Sequence, residues 1–294
     1  MRNSLLYILA IFSLSQAANL VRLADAPALA IGFWRLFIST LVLLPFLIWT
    51  SRKNKALNET ETTPFLAMSA LSALFFFGHL WTFFIAAQKT TIANCMILFS
   101  LNPLFIAVIA SKFLNVPLPK RLFFAYPLAF AGLLILLWQD LNEHTLQSNQ
   151  TLGDFSALLS GIFYCGYVLT SREIRKTVSN LKFASTIYAI TSFLFLGSCL
   201  VFQIPLFNYP SITWIAILGN VFIPTLMGHF LFTYLLRFMN VNLMSCGKLI
   251  EPVFSSIVAF FLFQEALKPG IYISFLLTSG SLLILFSNQF KTSK

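Results

Sequence analysis

Charge is what this chain has least of: Asp, Glu, Lys and Arg make up 10% of its 294 residues. Soluble domains average about 25%, so a water-facing globular surface is excluded by composition. Acidic residues are scarcer still, nine in all, and they form no cluster with metal-ligand spacing. No H-E-x-x-H run and no nucleophile with an adjacent base appears, so catalytic and metal residues are not expected and no cofactor is implied. The four cysteines, Cys95, Cys165, Cys199 and Cys246, are dispersed in apolar stretches without C-x-x-C spacing. Disulfide frameworks and thiolate metal sites are therefore not expected.

What fills the chain is apolar: 58% of residues are hydrophobic and 34 are phenylalanine. A spanning helix takes roughly 20 apolar residues, and nearer 30 with its turn, which leaves room for about ten spans and no sizeable soluble domain. Hydrophobic windows predict spans at 4–21, 28–50, 64–87, 91–113, 120–138, 153–171, 182–204, 211–236, 241–264 and 269–287. The first resembles a cleaved leader, with Arg2 ahead of an apolar core, but its length from Ser4 to Val21 predicts an uncleaved span.

Lysine and arginine sort these spans. With the N-terminus cytoplasmic, the inner segments hold Arg2, Arg52, Lys53, Lys55, Lys112, Lys120, Arg121, Arg172, Arg175, Lys176, Lys182, Arg237, Lys291 and Lys294. The outer turns hold only Arg22, Lys89 and Lys268, while Arg35 and Lys248 fall inside spans. That asymmetry is the positive-inside pattern, and it predicts both termini in the cytoplasm. The formal charge of +10 is thereby a topology signal, and nucleic acid is not an expected partner. A small-molecule metabolite and the lipid bilayer are; a homodimer is left open.

The acidic, lysine-free run "QDLNEHTLQSNQTLGD" is read as the longest outer connection, with a sequon-like N-Q-T at Asn149. It divides the chain into a first five-helix repeat (1–139), an outer loop (140–152), a second repeat (153–288) and a cytoplasmic tail (289–294). The halves resemble each other. "GHLWTFFIAAQKTTIANCMILFSLNPLF" from Gly78 aligns with "GHFLFTYLLRFMNVNLMSCGKLIEPVF" from Gly228, and "GLLILLW" from Gly132 with "GSLLILF" from Gly280. Because five is odd, the copies enter the membrane from opposite sides. The expected fold is an all-α polytopic membrane protein, ten transmembrane helices in two inverted five-helix repeats, an architecture used by secondary transporters.

These residues resemble the drug/metabolite transporter superfamily, and within it the EamA-type ten-helix family. The likeness is carried by "APALAIGFWRLFISTLVLLPF", the paired G-H starts, the N-P and E-P centres of spans four and nine, "FFLFQEALKPGIYISFLLTSGSLLILF", and the duplication. The family's glutamate at the end of the fourth span is matched by Glu265 in the second copy and by Asn115 in the first. The resemblance implies transport of small metabolites, often amino-acid-like and often outward, across a cell membrane (the bacterial inner or plasma membrane).

Charged side chains inside a bilayer generally face a cavity or one another. Lys248 and Glu251 lie roughly 10–15 Å deep in the ninth span at 1.5 Å per residue, on one helix face, placed to neutralise each other or to hold the two ends of a zwitterion. The plainer reading is a structural ion pair. Pro252 removes a backbone donor and predicts a kink, as does Pro103, and Asn102 beside it is the candidate substrate contact of the first copy. Arg35 either snorkels to the outer headgroups or points inward as an anion partner. His79 and His229 recur at one repeat position, as substrate or proton ligands, or as neutral packing residues. Trp81 and Trp34 are candidates for an aromatic wall. Gln16, Asn19, Tyr164 and Tyr167 either line the pathway or tie helices together. The competing functions are an intramembrane lipid-modifying enzyme and a structural membrane protein; coupling to protons, exchange and uniport all stay open.

Overall fold

In the computed structural model, the described residues are 2–53, 63–114, 120–142, 148–239, 244, 248–265 and 269–286. Their regular structure is entirely helical. A helix meets the requirement of lipid, since each backbone amide finds its partner within the same segment and none needs water. Among the described residues six helices are long and apolar enough to cross a membrane: Asn3–Leu23, Ala28–Arg52, Phe65–Lys89, Asn149–Arg175, Asn180–Val201 and Ser211–Leu235. Shorter apolar helices occupy Ile92–Ile106, Phe123–Gly132 and Glu251–Phe263.

In chain order the elements are α1 (Arg2–Ser15), α2 (Ala17–Leu23), α3 (Ala28–Lys53), α4 (Thr63–Lys89), α5 (Ile92–Phe99), α6 (Asn102–Leu114), α7 (Leu122–Asn142) and α8 (Ser148–Arg175). Then follow α9 (Asn180–Val201), α10 (Ser211–Asn220), a π-helical segment (Val221–Phe230), α11 (Leu231–Leu235), a 3₁₀ turn (Lys248–Ile250), α12 (Glu251–Phe263) and α13 (Pro269–Phe286). The chain forms two compact units, Met1–Trp81 with Gly166–Phe238, and Thr82–Cys165 with Met239–Lys294. Each unit thus takes helices from both halves of the sequence, and the division falls inside α4 and α8.

In the first unit α3 packs along α9, and the π-helical segment packs against α1 and α3. The α3–α9 approach is close because Gly32 has no side chain: a Cβ there would lie 2.4 Å from the buried Phe195 ring. In the second unit α7 packs along α13, with the Ser281 hydroxyl donating to the Ala125 carbonyl at 2.7 Å, and α5 packs against α12 and α13.

Several expected continuous spans are interrupted. The first breaks at Gln16, where a turn separates α1 from α2. The fourth breaks at Ser100–Leu101, so that Pro103 is the second residue of α6 and not the middle of a bent helix. The ninth carries the 3₁₀ turn before α12, whose second residue is Pro252. Both prolines therefore sit in a first helical turn, where the missing N–H has no intrahelical partner to lose. Of the connection expected over 140–152, residues 140–142 belong to the end of α7 and residues 148–152 to the start of α8. Residues 143–147 lie outside the described residues, as do Asn115, Cys246 and the tail 289–294.

The span expected over 211–236 also departs from a plain helix, and its sequence explains how. Pro224 has no N–H to give the Asn220 carbonyl in α-helical register. The Thr225 hydroxyl, one residue on, donates to that carbonyl at 2.7 Å instead. A five-residue separation replaces four, and the backbone runs as a π-helix over Val221–Phe230.

Candidate substrate-binding site

The second unit holds the charged pair. In a 3₁₀ turn residues i and i+3 eclipse, so the turn at Lys248–Ile250 stacks Lys248 directly over Glu251. Lys248 Nζ stands 3.7 Å from Glu251 Oε1, an ion pair too long for a hydrogen bond, and both side chains are about 5% exposed. Glu251 opens α12, where the positive end of the helix dipole favours a carboxylate. The Lys248 ammonium lies 4.0 Å from the centre of the Tyr164 ring and 4.9 Å from that of Phe99. These two rings meet edge to face at 5.3 Å.

Asn102 starts α6 beside this group and is 1% exposed. Its Nδ2 donates to the Phe99 carbonyl at 2.9 Å, which closes the break between α5 and α6. Its backbone carbonyl accepts from Cys165 Sγ at 3.2 Å, which docks it on α8 one residue from Tyr164. The sequence-predicted residues Asn102, Tyr164, Lys248 and Glu251 thus belong to one buried cluster. Phe99 is a member that sequence reading missed, since one phenylalanine among 34 carries no signal.

The first unit holds a second cluster. Arg35 does not snorkel: it is fully buried, with Nε donating to Thr225 Oγ1 at 2.7 Å and Nη1 to Asn220 Oδ1 at 3.4 Å. Both acceptors flank Pro224, so the arginine holds the π-helical segment at its irregular point. The Tyr188 hydroxyl faces the Thr225 carbonyl at 3.5 Å, and the Tyr188 ring stacks 6.0 Å from Phe76. Phe76 in turn stacks 4.4 Å from Tyr167 and meets His229 edge-on at 5.1 Å. His79 and His229 stand ring to ring at 6.0 Å, both nearly buried. Asn220, Thr225, Tyr188 and Phe76 were not singled out by sequence; the one available signal was Pro224 inside the apolar run "NVFIPTLMGH".

Trp81 does not join His79. Two residues turn a helix by about 200°, so Trp81 leaves the histidine face and packs by Phe77 and Phe202, at 5.6 and 6.4 Å. Trp34 likewise departs from Arg35, donating from Nε1 to the Leu206 carbonyl at 2.7 Å and packing on Trp214 at 5.2 Å. Gln16 and Asn19 bond locally across the α1–α2 break: Gln16 Nε2 donates to Ser15 Oγ at 2.8 Å and Asn19 Nδ2 reaches Gln16 Oε1 at 3.5 Å. Arg175, assigned to an inner loop by charge counting, is buried and donates to the Thr233 carbonyl at 3.2 Å and to the Val178 carbonyl.

Apolar spanning helices with buried ionic and aromatic clusters define a polytopic membrane protein, of the class that carries small molecules across lipid. Comparison with known proteins gives the family: the EamA-like transporter family model matches residues 2–138 and again 151–287, and the chain belongs to that family. It is similar to an uncharacterized transporter of Archaeoglobus fulgidus, 25% identical over 84% of this chain and 82% of the relative. It is similar also to the S-adenosylmethionine uptake transporter of Rickettsia prowazekii, 24% identical over 88% of this chain and 83% of the relative. One solved crystal structure shares the fold with a TM-score of 0.71 at 17% identity, covering 98% of both chains. The protein is a membrane transporter of a small-molecule substrate and not an enzyme.

Proposed function

We propose that this chain is a secondary transporter, an exporter or facilitator, of small polar or zwitterionic metabolites such as amino acids or related organic solutes. Its ten spans form two inverted five-helix repeats in a bacterial inner membrane, with both termini cytoplasmic. Alternating access exposes the Lys248–Glu251 pair to one side of the membrane and then the other.

The observation that carries this reading is the ion pair itself, 3.7 Å apart, nearly buried and flanked by two aromatic rings. A pair serving only to hold helices together is weak support for stability, because desolvation offsets much of its Coulomb attraction. Side chains of this kind within a span mark substrate paths by default. The zwitterionic class is supported by the opposed charges on one helix face, and by the substrate for which the Rickettsia relative is named, S-adenosylmethionine, which carries an amine, a carboxylate and a sulfonium.

Reconstitution in liposomes tests it. Flux of an amino-acid, nucleoside and S-adenosylmethionine panel is compared for wild type and Glu251→Gln, with solute loaded on either side to assign direction. At least one solute is expected to cross faster than in empty liposomes, and the substitution to abolish most of that excess. Equal flux through wild-type and empty liposomes would reject transport; equal flux through wild type and Glu251→Gln would reject the site.

A further inference from the structure

The second unit's cluster is lopsided in its hydrogen bonding. Glu251 Oε1 is buried and, among the described residues, receives no hydrogen bond, since Lys248 Nζ stops at 3.7 Å. Asn102 Oδ1 is in the same condition, its amide nitrogen being committed to the Phe99 carbonyl at 2.9 Å. A buried acceptor left without a donor is costly, and two in one cluster point to a ligand that donates. The remaining walls are the faces of Tyr164 and Phe99, whose quadrupoles attract cations. The cluster therefore presents two oxygen acceptors and two π faces, and the cation it holds is its own: the Lys248 ammonium, 4.0 and 4.9 Å from the ring centres.

Resting on the transport reading, we propose that this cluster selects solutes bearing a cationic nitrogen, and that Lys248 is a tethered competitor for the same place. The solute's ammonium replaces that of Lys248 over Tyr164 and Phe99 and supplies hydrogen bonds to Glu251 Oε1 and Asn102 Oδ1. The two residues of the pair differ in freedom. Glu251 sits on the first turn of α12, where the helix dipole holds its charge, whereas Lys248 is a point charge on a four-carbon stem rooted in a 3₁₀ turn. The lysine is the partner that moves. When the solute also carries a carboxylate, the displaced Lys248 becomes its counter-ion. A purely anionic solute meets acceptor oxygens and negative ring faces, and is disfavoured.

The test uses three four-carbon probes on the full-length protein in detergent: butylammonium, butanol and butyrate, with binding read by calorimetry or by the shift in melting temperature. Butylammonium is expected to bind, and the other two to bind at least ten-fold more weakly. Lys248→Met is expected to tighten butylammonium about ten-fold by removing the competitor, and Tyr164→Leu to weaken it several-fold by removing one π face. Butyrate binding as tightly as butylammonium, or Lys248→Met leaving butylammonium unchanged or weaker, would overturn the proposal. Should Lys248→Met not fold, the order of the three probes on wild type and the Tyr164→Leu effect still decide. Liposome flux keeps the two readings apart: solutes that move without being inhibited by butylammonium sink the cation preference alone, whereas a retained probe order with no solute flux counts against transport alone.

Discussion

Arg35 Nε donates to Thr225 Oγ1 at 2.7 Å, and the same hydroxyl donates to the Asn220 carbonyl that Pro224 leaves without an α-helical partner. One threonine oxygen thus links Nε of a fully buried guanidinium to the start of the π-helical segment. Thr225→Val keeps the shape and removes both bonds. It is expected to cost about 2–4 kcal/mol, since a buried donor that loses its partner forfeits roughly 1–3 kcal/mol and more when charged. Thr225→Ser, which keeps the hydroxyl, is expected to cost under about 1.5 kcal/mol. Denaturant unfolding in detergent micelles measures both, and equal losses for the two substitutions would show that the hydroxyl does not hold this segment.

The histidine pair separates packing from polarity. His229 meets Phe76 edge-on at 5.1 Å and stands 6.0 Å from His79. His229→Phe preserves an aromatic ring and removes both ring nitrogens. Unfolding is expected to shift by less than about 1.5 kcal/mol, as for other shape-conserving core changes, while solute flux falls several-fold. Unaltered flux would assign the pair to packing.

How much of this was legible in the sequence follows from which periodicities survive in an apolar chain. The Lys248–Glu251 spacing and the Asn-Pro and Glu-Pro steps stand out because charge and proline are rare there, and structure builds on each. Helix faces do not stand out. In water a buried face reads as apolar against a polar one, but lipid presents no such contrast. Phe193 and Phe195 illustrate the loss: the same residue type two positions apart is 73% exposed in one case and fully buried in the other. For that reason Trp34 and Trp81 look like companions of Arg35 and His79 in sequence and pack on other faces. Arg35 is undecided in sequence because its acceptors, Asn220 and Thr225, lie some 190 residues away and depend on a π-helical register that only Pro224 hints at.

Glu265 offers a third experiment. The chain leaves α12 through Gln264 in left-handed geometry, φ 56°, and Glu265 Oε2 then accepts from the Ile92 amide at 2.9 Å, capping the N-terminus of α5. Glu265→Gln keeps an acceptor oxygen and loses the charge that favours a helix N-terminus, an effect of about 0.3–1 kcal/mol. Glu265→Ala loses the acceptor as well and is expected to cost about 1–2 kcal/mol. The ordering Ala worse than Gln worse than Glu in thermal unfolding is the expected result; a flat series would remove the cap from the fold's stabilising contacts.

Membrane orientation is open to chemical labelling. Ser211 opens α10 on the side assigned outward by the lysine and arginine distribution, Thr177 follows α8 on the side assigned inward, and both are exposed. Ser211→Cys is expected to react with a membrane-impermeant maleimide in intact cells, and Thr177→Cys only after permeabilisation. Cys95, Cys165 and Cys199 are buried, which keeps their background low, and Cys246 is replaced by serine in both variants. The reverse pattern would invert the proposed topology.

Two glycines make opposite predictions for the same substitution. At Gly153 on α8 an added Cβ would lie 2.7 Å from the Thr90 amide nitrogen and 2.9 Å from the Lys89 carbonyl carbon, so backbone would have to move. The close approach is what lets Asp154 accept from the Thr90 hydroxyl at 2.5 Å. Gly153→Ala is therefore expected to destabilise by about 1–3 kcal/mol, the range for forced overpacking, and Asp154→Asn to account for only part of that loss. Gly197 in α9 has nothing within 4 Å of an added Cβ. There the same substitution removes only the conformational freedom of the unfolded chain and is expected to stabilise by about 0.4–1 kcal/mol. Parallel unfolding of the two variants checks the pair, and a Gly153→Ala protein as stable as Gly197→Ala would mean that α8 does not approach Thr90 this closely.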